Sequence, residues 1–304
     1  MIVPCYNEEA TIGKVVSDFK AALPEATIYV YDNNSADRTI EVAEAAGAVV
    51  RREDQQGKGH VVRRMFSDID ADVYVLIDGD DTYDASVAPI MIDTLVNQSL
   101  DMVNGKRIDQ IKEAYRPGHR FGNWLLTTLV TRFFGERTQD MLSGYRVFSR
   151  RFVKSFPALS LGFEIETELT IHALELRLPI TDVPTKYKER PEGSVSKLNT
   201  IQDGIRILKT IGILIKEERP LQFFTAVAGL LVILALVVAY PVFIDYINTG
   251  LVPRFPTAIL ATGIMLLGFL SFFSGVILDS VTHGRKEMKR LAYLQQQSTE
   301  HLRD

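Results

Sequence analysis

The stretch "VLIDGDDTYD" (75–84) carries four aspartates within seven positions: Asp78, Asp80, Asp81 and Asp84. It follows the apolar run "VYVLI", and an Asp-x-Asp leaving a strand puts Asp78 and Asp80 on one side of the departing backbone. Two such carboxylates suit a hard divalent cation, Mg²⁺ or Mn²⁺, which prefers oxygen ligands and bridges to substrate phosphates. A solvated acidic turn is the plainer reading, because an isolated Asp-x-Asp is common. Company favours the metal: "VPCYNEE" and "YDNNSADRT" also place polar residues after apolar, strand-like runs. In the second of these, Asp32 closes the strand "TIYVYD" (27–32). A carboxylate there, beside an aromatic such as Tyr6, can accept hydrogen bonds from a nucleobase edge while the ring stacks on the base. Ser35 or Asp37 also reads as a helix cap, and Pro4 and Asn7 as turn residues.

Strands and helices must alternate for these motifs to converge. Ile12, Val15, Val16, Phe19 and Leu23 fall at helical spacing, closed by Pro24. A second helix is expected over 37–46, stopping at Gly47, followed by a strand "AVVRR" (48–52), a turn "QQGKGH" and a helix over 61–69. This rhythm predicts an α/β fold with a mostly parallel sheet, in which ligands sit at the carboxyl ends of the strands. The chain starts two or three residues before its first strand should finish, which raises the question of a trimmed or misassigned start.

Of 304 residues, 34 are Lys or Arg and 38 Asp or Glu, a net charge of −4 that gives no basic face for coating nucleic acid. The lone Cys5 excludes an intrachain disulfide and a thiolate metal cage, which fits a reducing compartment. Pro220 to Ile244 and Phe255 to Leu278 contain no charged residue, so each is long enough to cross a bilayer as a helix. Lys209, Lys216 and Arg219 precede the first run, Arg285, Lys286, Lys289 and Arg290 follow the second, and the connection holds only Arg254. The positive-inside bias then predicts a hairpin in the cytoplasmic membrane with both termini, and the large N-terminal part, in the cytoplasm. No apolar stretch precedes Tyr6 to form a signal peptide.

"VPCYNEEATIG", "YDNNSADRT", "QGKGHVVRRM" and "DGDDTYD", in this order, resemble a family 2 glycosyltransferase with the GT-A fold. "DMLSGYRVFSR", "GFEIETEL" and "VPTKYKERPEGSVSKLN" narrow the resemblance to the branch of dolichyl-phosphate mannose synthase and bacterial polyprenyl-phosphate glycosyltransferases. It covers roughly residues 1–215 and implies a GT-A domain over 1–199, an interfacial amphipathic helix over 200–219, a hairpin over 220–280 (about 221–244 and 256–278) and a basic tail over 281–304. The implied donor is a UDP- or GDP-sugar: Tyr6 and Asp32 would hold its base and Glu8 would approach its ribose, with Pro4 and Lys58 also among the donor-binding residues. Asp78 and Asp80 would meet metal and diphosphate, with Asp80 counted as catalytic. Asp32-Asn33-Asn34-Ser35 stands where relatives read Asp-Asp-Gly-Ser, and Thr82 stands where many have Gln, which leaves Thr82's place in the metal shell open.

The implied acceptor is a polyprenyl monophosphate of the undecaprenyl type, whose dianionic head calls for arginine. Arg107, Arg120 and Arg146 are the expected phosphate contacts, with Ser143 as a neutral donor and Asp140 as the catalytic or acceptor-orienting aspartate. Arg190, Ser196 and Lys197 read as a flap over the donor diphosphate, and one of Glu164 and Glu166 as a support for the site. The segments "RFGNWLLTTLVTRFFG" and "TIQDGIRILKTIGILIKEERP" mix apolar and basic residues as lipid-surface helices do, and Trp124 suits the interface. Transfer would be a single inverting displacement by an already ionised phosphate. A processive polysaccharide synthase lacks support because its Gln-x-x-Arg-Trp motif is absent, and a nucleotidyltransferase because no Gly-rich phosphate loop opens the chain. The non-enzymatic rival is a membrane-anchored binding protein with a degenerate transferase fold. Oligomeric state is not legible, and a homo-oligomer is compatible with the chain.

Overall fold

The computed structural model describes residues 1–109, 140–160, 162, 164–188, 190, 191, 212, 216 and 219–303. The expectations for Arg120, Trp124, Ser196 and Lys197, for the amphipathic segment 120–135 and for most of 200–220 lie outside the described residues. Two compact units divide the chain: Met1–Ile207 with Met288–Asp304, and Leu208–Glu287.

The first unit is built on a seven-stranded sheet. In chain order its described elements are β1 (Ile2–Cys5), α1 (Ile12–Ala22), β2 (Tyr29–Asp32), α2 (Thr39–Ala45), β3 (Val49–Arg52), α3 (Lys58–Asp68), β4 (Val73–Leu76), α4 (Ala88–Asn97), β5 (Met102–Asp109), β6 (Arg146–Ser149), α5 (Arg150–Ser155), α6 (Ile165–Glu175) and β7 (Ile180–Tyr187). The spatial order is β3-β2-β1-β4-β6-β5-β7. β1, β2, β3 and β4 pair in parallel, as do β5 and β7, while β6 runs antiparallel between β4 and β5.

Strand alternation builds a core on each face of the sheet. Ile2, Tyr31, Tyr74, Leu76, Met102 and Phe148 point to one face and meet Val61, Val62, Met65 and Phe66 of α3 and Leu169 of α6. Their neighbours Val3, Val30, Val75, Val103 and Val147 point the other way, against Ile12, Val15, Val16 and Phe19 of α1 and Met91 and Leu95 of α4. Helix α3 starts at Lys58 rather than near Val61, because Gly57 turns the chain at φ 135°, a conformation that favours glycine.

Residues from Met288 onward join this first unit, where the sequence reading had a separate tail beginning at 281. The reason is a buried polar knot. Asp101, fully enclosed, accepts hydrogen bonds from Ser149 Oγ (2.7 Å), Arg151 Nε (2.6 Å) and Tyr293 Oη (2.9 Å). The Tyr293 ring lies 4.9 Å from the Arg151 guanidinium and 5.6 Å from that of Arg290, within cation–π range. Lys289 pairs with Glu175 at 2.8 Å, and Arg290 donates to the Leu176 carbonyl at the end of α6, where a cation is favoured. Arg303 donates to the carbonyls of Val96 and Asn97, the last two residues of α4.

The second unit holds α7 (Pro220–Thr249) and the greater part of α8 (Phe255–Leu294). Both are long and apolar enough to cross a membrane, and only 11% and 17% of their most apolar windows are buried, unlike a soluble core helix. Leu230, Ile233, Leu236, Leu266, Phe269 and Phe273 are all exposed. The helices meet through small residues: a side chain at Gly275 would come within 2.8 Å of Phe224 Cβ, and Ser271 Oγ donates to the Phe224 carbonyl at 3.2 Å.

Candidate active site

The carboxyl ends of β1, β2 and β4 are tied to one another by side chains. Asn7 accepts from Ala36 N with its Oδ1, while its own N–H donates to Ser35 Oγ, both at 2.8 Å. Glu8 N donates to Thr39 Oγ1 (2.8 Å), and Thr11 Oγ1 to the Gly79 carbonyl (2.7 Å). Asn33, one of the two departures in the Asp32 motif, donates to the carbonyls of Glu53 and Gln55 at 2.8 Å and accepts from Gly57 N at 2.7 Å. An amide carries both donors and acceptor, so it can fasten the end of β2 to the loop that launches α3, which an aspartate could not do alone.

Within this frame Asp32 is buried; its Oδ2 accepts from Ser35 N at 3.2 Å, while Oδ1 makes no hydrogen bond among the described residues. A buried carboxylate oxygen without a donor is costly. Its position at a strand end makes it a ready acceptor for a ligand. Tyr6 is exposed at the neighbouring strand end, Glu8 is buried, and Pro4 is the third residue of β1.

Each of the four clustered aspartates has its own partner, which explains how so much like charge is held. Asp78 Oδ1 accepts from Lys58 Nζ; Asp80 pairs with Arg190 Nη2 at 2.7 Å; Asp81 meets Lys14 at 3.0 Å; Asp84 caps a short turn through Ser86 N at 3.0 Å. Thr82 Oγ1 donates to Asp80 Oδ1 at 2.6 Å, so in this structure it orients the carboxylate. Burial, then the neighbouring Asp78 charge, pushes the Asp80 carboxyl above the ordinary carboxylate range. Lys58 is nearly enclosed and bridges Asp78 to Glu166 Oε1, the latter at 2.5 Å. Burial lowers its pKa, but those two carboxylates outweigh it and hold the ammonium charged.

Two further residues shape this corner: Glu166, one of the two acids expected to support the site, and Gly144, which the sequence reading did not single out. Glu166, in the first turn of α6, holds the far side of Lys58. Gly144 leaves room for Asp78: a side chain there would place its Cβ 2.1 Å from Asp78 Oδ2. The sign in the sequence was glycine inside "SGYR", with nothing to say what approached it.

On the other side of the sheet's carboxyl edge, Arg107 grips Asp140 as a fork, with Nε to Oδ2 at 2.7 Å and Nη2 to Oδ1 at 2.8 Å. Its guanidinium also lies 5.3 Å from the Tyr187 ring centre. Burial raises the Asp140 carboxyl, but the Arg107 hydrogen bonds and charge overcome it and hold it below its ordinary value.

Arg146 and Ser143, expected at the acceptor phosphate, are enclosed in this structure. Arg146 is fully buried, with Nε on the Ser143 carbonyl (3.0 Å), Nη2 on the Met141 carbonyl (2.6 Å) and Nη1 on Thr170 Oγ1 (2.9 Å). Ser143, equally buried, donates to the Gly105 carbonyl at 2.6 Å. The donors named here are taken up within the described residues, where they hold the loop between Asp140 and β6. On β6, Arg146 and Phe148 share a face by strand alternation, which carries the arginine inward.

Among the described residues no group of three metal-ligating side chains forms. The donor set is therefore the pair Asp78 and Asp80, with a third acid, Glu166, one lysine away. One or two carboxylates completed by phosphate and water are how Mg²⁺ or Mn²⁺ is commonly held, so the residues present fit such an ion.

Comparison with known proteins now has a geometry to attach to. Residues 1–156 match the model of the family described as "Glycosyl transferase family 2". Glycosyltransferase AglJ of Haloferax volcanii is 35% identical over 308 aligned positions that cover 97% of each chain. The dolichyl-phosphate hexose transferase of the same organism is 31% identical, over 72% of this chain and 94% of its own. Glucosyl-3-phosphoglycerate synthase from Mycobacterium tuberculosis, crystallised with Mn²⁺, UDP-glucose and glycerol 3-phosphate, superposes with a TM-score of 0.57 at 22% identity, covering 69% of this chain and 78% of that one. That likeness speaks for the fold. Strand-end carboxylates, an α/β sheet of the GT-A type and these relatives lead to one conclusion: the chain is a glycosyltransferase and belongs to glycosyltransferase family 2.

Proposed function

We propose that the enzyme transfers a sugar from a nucleoside-diphosphate sugar, UDP- or GDP-linked, to a polyprenyl monophosphate at the cytoplasmic face of the membrane, with inversion at the anomeric carbon. The observation that carries this reading is the Asp78, Asp80, Lys58 and Arg190 cluster in a chain that also bears two apolar helices of membrane-crossing length. The likeness to a dolichyl-phosphate hexose transferase supports the lipid acceptor.

Met1–Ile207, ahead of the two apolar helices, and the residues from Met288 onward belong to the same unit, with Tyr293 bonded to Asp101. Flanks gathered in one unit lie on one side of a bilayer, which supports a two-helix hairpin between them. The basic flanks favour the cytoplasmic side for that unit.

In the proposed reaction a phosphate oxygen of the acceptor attacks the anomeric carbon. The bond to the donor's diphosphate breaks, and its electron pair leaves with the nucleoside diphosphate. The acceptor oxygen is already ionised, so no residue has to remove a proton. Asp32 would receive the base with its unpartnered Oδ1, and the Tyr6 ring would stack beside it. Lys58 stands beside Asp78, where its ammonium would meet the donor's phosphates. Asp140, with both oxygens on Arg107, orients that guanidinium toward the acceptor phosphate and does not act as a base. A divalent ion, Mg²⁺ or Mn²⁺, held by Asp78 and Asp80 would supply neutralisation of the charge that develops on the departing diphosphate. Arg120 and Lys197 are proposed for acceptor and donor phosphate, respectively.

The test is a screen of UDP- and GDP-sugars against undecaprenyl phosphate, recording the product's anomeric configuration. One donor should yield a polyprenyl monophosphate sugar of inverted configuration. Retention, or transfer only to a non-lipid acceptor, contradicts the proposal.

A further inference from the structure

Glu166 stands apart from the Asp-x-Asp pair, yet it shares a cation with it. Lys58 Nζ lies between Asp78 Oδ1 and Glu166 Oε1, with side-chain exposures of 9% for Lys58, 7% for Glu166 and 29% for Asp78. Asp78 is the carboxylate more open to solvent, and Glu166, the more enclosed one, lies across the ammonium from it. Glu166 Oε2 is buried and makes no hydrogen bond among the described residues. Nothing in the packing of α6 requires an acid here: its neighbours Ile165 and Leu169 fill the apolar core. An amide of the same shape would occupy the same space.

Charge explains what an acid adds. The trio of Asp78, Lys58 and Glu166 sums to −1, whereas Asp78 and Lys58 alone would sum to zero. With Glu166 removed, the ammonium would settle wholly on Asp78 and cancel the charge that draws in a dication. In a nearly enclosed site such interactions are poorly screened, so one unit of charge changes ion affinity strongly.

We propose that Glu166 is a positioning residue that draws Lys58 part-way off Asp78, and so sets the affinity of the Asp78 and Asp80 pair for a divalent cation. This rests on the proposed metal role of that pair, but not on the identity of sugar or acceptor. Glu166 does not touch the ion in this account; it acts through the lysine.

The experiment measures Mn²⁺ binding to the full chain in detergent, without nucleotide, from the loss of the free Mn²⁺ electron-paramagnetic-resonance signal. Trio charge is −1 in the wild type, 0 in Glu166→Gln and −1 again in the Lys58→Met/Glu166→Gln double variant; in Lys58→Met the enclosed Glu166 loses its cation and can take a proton, so the charge there lies between −2 and −1. Glu166→Gln should bind Mn²⁺ at least about 10-fold more weakly, Lys58→Met no more weakly than wild type, and the double variant within about 3-fold of wild type. A merely structural brace would lower the thermal midpoint of Glu166→Gln and leave Mn²⁺ affinity unchanged, and that result overturns the proposal. So does a double variant as weak as Glu166→Gln. If Glu166→Gln does not fold, Lys58→Met and the double variant still decide, because either one binding Mn²⁺ clearly more weakly than the wild type overturns the proposal. Wild-type chain that binds Mn²⁺, with the variants as expected, but transfers no sugar to polyprenyl phosphate would sink the proposed reaction and leave this inference standing. Wild-type chain that binds no Mn²⁺ would sink this inference.

Discussion

The two halves of the carboxyl edge use the same ingredients, acids paired with bases, in opposite ways. At the end of β4, Asp78 and Asp80 hold cations delivered by distant elements, Lys58 from α3 and Arg190 from beyond β7, and Asp78 keeps an open side. Across the sheet, Arg107 and Asp140 close on each other in a two-bond fork, and Arg146 is spent on backbone carbonyls. The first arrangement can exchange its cations for a charged ligand. The second is a fixed part, because breaking it strands a buried charge. Where partners are shared the cations can be redistributed around a ligand; where they are exclusive the pair keeps its geometry, and Arg107 would meet the proposed acceptor phosphate already oriented.

Five substitutions break or sharpen that contrast. Asp78→Asn and Asp80→Asn should each lower sugar transfer by at least about 100-fold, since charge stabilisation at a departing group is worth that much or more, while membrane insertion is unchanged. Labelled transfer assayed beside membrane fractionation checks it. Gly144→Ala should lower transfer about 10-fold or more by forcing Asp78 from its place, because the added Cβ has only 2.1 Å to Asp78 Oδ2. Circular dichroism of that variant should match the wild type.

On the fixed side, Asp140→Asn leaves Arg107 without its counter-charge and should cost about 3 kcal/mol of stability at pH 7, read as a lower unfolding midpoint in denaturant. Arg107 holds the Asp140 carboxyl below its ordinary 3.8, so this contribution is complete above that pH and is lost as pH falls through the lower folded value. The gap between wild type and Asp140→Asn should therefore persist at pH 5 and close only under strongly acid conditions. Smallest is Tyr293→Phe, which removes one donor from buried Asp101 and should cost about 1 kcal/mol while leaving transfer nearly intact. Thermal unfolding of the full chain in detergent measures it.

What the sequence made legible follows the range of each interaction. Local periodicity revealed α1, β2 and β4, and the aspartates after β4 announced themselves by spacing alone. The two apolar runs needed only length and the absence of charge. Strand β6 was harder, since its antiparallel insertion between β4 and β5 depends on pairing across the chain. Arg146 shows the same limit: the motif reads as a phosphate contact, while its Thr170 partner, 24 residues on, and the nearby Met141 and Ser143 carbonyls become visible only in the fold. The tail was legible only as composition. Lys289 and Arg290 look like a basic surface, yet Tyr293 among them reaches Asp101, 192 residues earlier in the chain. Glu166 and Gly144 matter only through Lys58 and Asp78, and no local pattern encodes a neighbour of a neighbour.

The most direct test of the whole account is transfer of radiolabelled sugar from its nucleotide donor to undecaprenyl phosphate, run with and without Mn²⁺ in wild type and Asp80→Asn. The account predicts lipid-linked label that requires both the ion and Asp80. Label that forms equally well in the variant, or in the wild type after the ion is removed by chelation, would contradict it.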